Sequence, residues 1–172
     1  MSTADRFKKE AIELSWTANA YLDCAQRLCK ALIDEEYERS IHHNRFPLHL
    51  AFLALELWFK AGLAAAQRPY PKHHDLAKLR QLYLQAMPDI PLSLPSFFEK
   101  LIPTSRDLFE ERPAPDLEYH FARLRYSSDR RGQPYPELAM ADLSELRDEL
   151  ENPARATHAA QMRIWKKYGW NA

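Results

Sequence analysis

The stretch from Phe46 to Leu82 constrains this chain more than any other. In its first half Leu48, Leu50, Phe52, Leu53, Leu55, Leu57, Trp58, Phe59 and Leu63 fall on every side of a helix. A helix apolar all round has to be enclosed by other helices, so this one is expected to be the central member of a bundle. Glu56 and Lys60 stand inside it, four residues apart and in the favourable acid-then-base order. Unpaired charge in such surroundings costs several kcal/mol, so each is expected to find a partner. The Gln67-Arg68-Pro69-Tyr70-Pro71 segment ends the helix, because a residue before proline is pushed out of the α region. The stretch is long enough to suggest a membrane span. However, His49, Glu56 and Lys60 interrupt it, arginines flank it, and it has no unbroken run of the ~20 apolar residues a span needs. With MSTADRFKKE at the start lacking the apolar core of a signal peptide, no membrane and a cytoplasmic location are expected.

The remaining segments read as helices around this centre. Ser2 and Asp5 have the spacing of a capping box. Phe7, Ala11, Leu14, Ala18, Tyr21, Ala25, Leu28 and Leu32 then alternate in steps of four and three, which predicts a helix from residue 3 to 37 with those residues on its inner face. Asp34, Glu35 and Glu36 oppose the dipole at its end, so fraying or a basic neighbour such as Arg39 is expected there. A further helix is predicted from Asp75 to Met87 through Leu76, Leu79, Leu82 and Tyr83. Pro88, Pro91 and Pro95 mark a connector, Ser96 and Glu99 a second capping box, and short helices reach as far as Arg125. A polar loop from Ser127 to Pro136 leads to a last helical region from Glu137, carrying Leu143, Leu146 and Leu150. Asn152-Pro153 has the pattern of an N-cap followed by the first helical residue, so a break is expected there, with a separate amphipathic helix closing the chain. No segment alternates with the period of a strand. The fold class is therefore all-α: an up-and-down helical bundle with extra short helices over residues 1–151, and a C-terminal helix over 152–172 packed on it or extending it.

A chain of 172 residues is long enough for one domain with a substantial core. Three glycines and the lack of any GxxxxGK[ST] or GxGxxG pattern leave no glycine-rich phosphate loop. Twenty-four basic residues balance twenty-four acidic ones, so contact with nucleic acid would need a local patch instead of a global charge. Cys24 and Cys29 lack metal or redox spacing and are expected to be buried or half-buried free thiols. The adjacent pairs His42-His43 and His73-His74 have no acidic or cysteine ligands at motif spacing, so neither a metal nor a cofactor is expected.

Three short motifs occur in order: Glu56-x-x-x-Lys60-Ala61, His74-Asp75-Leu76-x-x-Leu79 and Arg125-Tyr126. Together they resemble the HEPN domain family. The resemblance implies an up-and-down helical bundle associated with RNA cleavage, nucleotide binding, and toxin–antitoxin or defence operons. It also implies a ligand-binding set of Glu56, Lys60, His74, Asp75, Arg125 and Tyr126. Beside that set, Arg123, Arg125, Arg130 and Arg131 alternate with Tyr119, Phe121, Tyr126 and Tyr135, a mixture suited to RNA phosphates and base stacking. Asp75 also fits the plainer role of a helix N-cap. Ribonuclease members of the family use an arginine followed four to six residues later by a histidine. The arginine steadies phosphate charge while the histidine moves a proton. Arg68 and His73 have that gap, but Pro69 replaces the usual polar residue and the pair lies after the central helix, whereas the family motif belongs near the last core helix.

Three readings stay open. The first is a HEPN-like domain that binds a nucleotide, RNA or a partner protein without catalytic machinery, beside a nucleotidyltransferase-type partner in a prokaryotic defence or toxin–antitoxin setting. The second is a metal-independent endoribonuclease using Arg68 and His73 at a dimer interface. The third is a structural dimerisation adaptor. A homodimer suits all three.

Overall fold

The computed structural model describes residues 2–34, 45–71, 76–90 and 143–170, and every described element is helical. There are four: α1 (Thr3–Asp34), α2 (Arg45–Ala65), α3 (Leu76–Ala86) and α4 (Leu143–Lys167). The fold is all-α, as its sequence pattern requires. The short helices expected between Ser96 and Arg125 and the loop after them lie outside the described residues.

Helix α1 starts at the expected cap. The Asp5 N–H donates to Ser2 Oγ at 3.1 Å, and the Ser2 N–H donates back to Asp5 Oδ2 at 3.0 Å, so two otherwise unsatisfied donors are answered. Its buried face is turned by one position from the one expected. Ala11, Ala18 and Ala25 are buried as predicted, but their companions are Ser15, Leu22 and Cys29, while Leu14, Tyr21 and Leu28 are only half-buried. The cause is that α1 has two partners, α2 and α4, so the alanine row becomes the middle of a broad inner arc. Cys24 points outward and is exposed, against expectation, and Cys29 is buried. Burial pushes the Cys29 thiol up to about 11, so it stays protonated at neutral pH.

Helix α2 is the centre. Pro47 sits in its first turn, where no backbone N–H is needed. Leu55, Trp58 and Phe59 are fully enclosed, and Ala51, Ala54, Ala61 and Ala64 are buried on other sides. By length and composition Phe46–Ala65 could cross a membrane, but most of it is buried within the protein, as in a core helix. Its end is a Schellman turn: the Arg68 N–H donates to the Leu63 carbonyl at 2.8 Å and the Gln67 N–H to Ala64 at 2.9 Å. Gln67 takes the left-handed position at φ 54°, one that ordinarily favours glycine.

Helix α3 lies against the last turns of α2. Tyr83 is buried, its ring 5.6 Å from that of Phe59, and its hydroxyl donates to the Ile90 carbonyl at 2.8 Å. Only a glycine permits this approach, since a Cβ on Gly62 would stand 2.2 Å from Tyr83 Cε2.

Helix α4 runs antiparallel to α1. Gln161 bridges Asn19 Nδ2 (2.8 Å) and Ser15 Oγ (3.2 Å), and Gln26 Nε2 donates to the Leu150 carbonyl at 3.0 Å. The helix passes unbroken through Asn152 and Pro153, which corrects the expected break. Pro153 has no N–H for the carbonyl four residues back. Gln26 meets the very next carbonyl, and Leu150, Thr157, Ala160 and Ile164 form one buried face on both sides of the proline. Burial on both sides of it helps offset the ~3 kcal/mol a mid-helix proline costs. A second Schellman turn ends α4: Gly169 is at φ 64° and the Trp170 N–H donates to Trp165 at 2.8 Å. Trp170 then lies under the Lys8 ammonium, 5.9 Å from its ring centre.

The Gly62→Ala variant is expected to lose about 1–3 kcal/mol in urea unfolding, because its methyl has to displace a fully buried tyrosine ring. An unchanged midpoint would show that α3 does not pack this closely.

Candidate functional site

The Schellman turn at Leu63–Arg68 brings the chain after α2 back beside the start of α1. Two sites of charge meet there. Within α2 the Lys60 ammonium is 2.5 Å from Glu56 Oε1, and the two side chains are only 10% and 4% exposed. The four-residue spacing places them one turn apart on one face. Over the same ammonium lies the ring of Tyr70, its centre 5.8 Å away. The Tyr70 hydroxyl donates to the carboxylate of Glu10 on α1. A chain of contacts of alternating polarity thus runs from Glu56 to Lys60, to the face of Tyr70, and to Glu10. It ties α2, the turn and α1 together.

Burial first, and then the bond to the negatively charged Glu10, hold the Tyr70 phenol well above its ordinary range. Arg6 opposes this, but the tyrosine remains neutral and acts as a donor. Tyr83 is also shifted upward, by burial.

Of the residues singled out in the sequence, Glu56, Lys60 and Arg68 fall within the described structure. Glu56 and Lys60 come together in the enclosed pair. Arg68 is exposed and is anchored by its backbone N–H in the turn. His73, His74, Asp75, Arg125 and Tyr126 lie outside the described residues. Sequence reasoning missed Glu10 and Tyr70. Sixty residues separate them, and the only local signal was a tyrosine held between two prolines directly after the central helix. Trp58 is fully enclosed, and its indole N–H meets no partner among the described residues. Among those residues no group of three His, Cys, Asp or Glu side chains is placed to hold a metal ion.

Chemically, the arrangement is a brace. Lys60 is neutralised and covered, whereas Arg68 in the turn and Arg6 on α1, whose charge acts on Tyr70, are exposed cations. Comparison with protein-family models, with curated proteins and with solved structures finds no match for this chain.

The brace has an alkaline signature. A tyrosine whose folded-state pKa is raised favours the fold while the phenol is neutral. Its contribution is complete below the ordinary tyrosine value of about 10 and is lost as pH rises through the higher folded-state value. Tyr70→Phe is expected to cost about 1–2 kcal/mol at pH 8, through loss of the bond to Glu10. It should also flatten, without abolishing, the fall in stability above pH 10, since Tyr83 still titrates there. Urea unfolding of both proteins from pH 8 to 11 checks this; identical curves would place Tyr70 outside the brace.

Proposed function

We propose that this chain is a HEPN-like helical bundle of a prokaryotic defence or toxin–antitoxin system, working in the cytoplasm. In this reading it binds a phosphate-bearing ligand, a nucleotide or RNA, beside a nucleotidyltransferase-type partner protein. It does so without catalytic machinery of its own. The observation that carries the reading is the enclosed Glu56–Lys60 pair bracing the α2 turn through Tyr70. Such a pair gives the Glu-x-x-x-Lys half of the motif a physical purpose: it presets the turn that displays Arg68 and continues in sequence into His74-Asp75. The turn fixes where the Arg68 side chain starts, and its planar guanidinium loses less freedom per hydrogen bond formed with a phosphate than a lysine would. Arg125 and Tyr126 supply, in the motif order, a second cation and a stacking ring.

Because Lys60 is buried against Glu56, replacing it would disturb the fold, and a loss of binding would then say little about contact with a ligand. The informative variants are Arg68→Ala and Arg125→Ala. Fluorescence anisotropy with a labelled oligoribonucleotide and with a labelled ATP analogue should show saturable binding of at least one probe. Each variant should weaken it about tenfold, near the 1.4 kcal/mol of one charge-assisted contact, with an unchanged helical circular dichroism spectrum. RNA cut by the wild type, and left intact by Arg68→Ala and His73→Ala, would replace this reading with an endoribonuclease. Neither binding nor cleavage would leave the adaptor.

A further inference from the structure

Helix α1 has an outer face that none of the other described helices covers, and its pattern is unusual. Arg6, Glu13, Ala20, Arg27 and Asp34 recur every seven residues and are all exposed. On a helix that spacing forms one row, which drifts round the axis by only about 20° per heptad. Read along the row, the charges are positive, negative, neutral, positive, negative. The row is therefore antisymmetric about Ala20: every charge has its opposite at the same distance on the other side.

We infer that this face is the surface on which a second copy of the chain docks, antiparallel, with the two-fold axis passing at Ala20. In that arrangement each residue meets the one equally far beyond Ala20 in its partner. Arg6 meets Asp34, Glu13 meets Arg27, and both pairs occur twice, as a two-fold interface requires. The two Ala20 positions meet each other, and their small side chains let the backbones come close. Trp16, the most exposed of the large apolar side chains among the described residues at 61%, flanks this row one turn before Ala20, so it lies beside the docking line. A parallel, in-register pairing would instead set Arg6 on Arg6 and Glu13 on Glu13, and the like charges exclude it.

Two further features agree. Asp34 stands in the last described turn of α1, which holds no basic residue, and a negative charge towards that end opposes the helix dipole. The antiparallel partner brings Arg6 and the positive end of its own helix to that position. The charges on this row are also available. Glu13 is paired with Lys9 at 3.7 Å and Arg27 with Asp23 at 2.8 Å, but all four side chains are more than half exposed, and such pairs within a helix are weak. With 32 residues α1 is about 48 Å long, and the row spans nearly all of it. The occupant is a second copy because the complementarity is of the row to itself. This proposal is independent of the ligand reading above.

Sedimentation equilibrium of the full chain tests it. The wild type should be a dimer at ten micromolar, roughly the range of ordinary specific association. Glu13→Arg alone, and Arg27→Glu alone, should each weaken the dimer at least tenfold, because each makes two like-charge contacts. The double reversal Glu13→Arg with Arg27→Glu should restore it. All three variants change exposed residues, and circular dichroism should show unchanged helix content. A monomeric wild type at one hundred micromolar would overturn the proposal. So would a dimer indifferent to the single reversals, which would have to use another face, or a double reversal that fails to dimerise.

Discussion

The structure turns on two opposite charges sealed inside its least polar helix. Glu56 and Lys60 lie where water cannot screen or solvate them, and removing two ions from water costs several kcal/mol each. The direct contact between them recovers much of this, and the face of Tyr70 over the ammonium adds to it. The tyrosine can stay there because its hydroxyl is held by Glu10 on the neighbouring helix. A requirement set by burial in α2 is thus met partly by a residue of the turn and partly by one of α1. That fixes where the chain goes after the central helix.

Close packing makes this possible. Ala11, Ala18 and Ala25 on α1 and Ala51, Ala54, Ala61 and Ala64 on α2 keep the helix surfaces shallow, and Gly62 removes even a methyl under Tyr83. Apolar contacts among such small residues say little about how far one helix slides along another. The polar bridges from Gln161 to Ser15 and Asn19, and from Gln26 to the Leu150 carbonyl, set that register between α1 and α4. They also explain how a helix survives a proline at its middle: one face is buried on either side of it, and an amide from α1 reaches the adjacent carbonyl.

Much of this was legible in the sequence where the physics is local. The capping box at Ser2 and Asp5, the enclosed character of α2, its proline-marked end and the Glu56–Lys60 pairing each depend on residues within a few positions of one another. What was not legible depends on partners distant in the chain. The inner face of α1 was set one position off because periodicity reports an apolar stripe but not that two helices share it, and a stripe that includes Ser15 is not recognised as buried. Cys24 was expected to be buried or half-buried from the general habit of free cysteines, which does not report the face it occupies. Pro153 reads locally as a helix start, and only Gln26, far away in sequence, shows why it is not one. Glu10 and Tyr70 could not be joined by any local rule. The charge row on α1 was present in the sequence throughout, but its meaning required knowing which face was already taken.

The brace also gives the functional proposal its physical content: a turn held from below by an enclosed ion pair displays an arginine from above. Whether that pair is truly enclosed is the point on which the rest depends, and it can be measured by urea unfolding of two variants at pH 7. Lys60→Met keeps the length of the side chain and removes the charge, leaving the Glu56 carboxylate without its ammonium, and should cost about 3–5 kcal/mol. Adding Glu56→Leu removes the buried carboxylate as well and should recover most of that loss, as replacing both members of a buried pair by apolar residues generally does. A single variant within about 0.5 kcal/mol of the wild type, the range of ordinary surface substitutions, would contradict the account. It would mean that Lys60 reaches water and that the turn is held by something else.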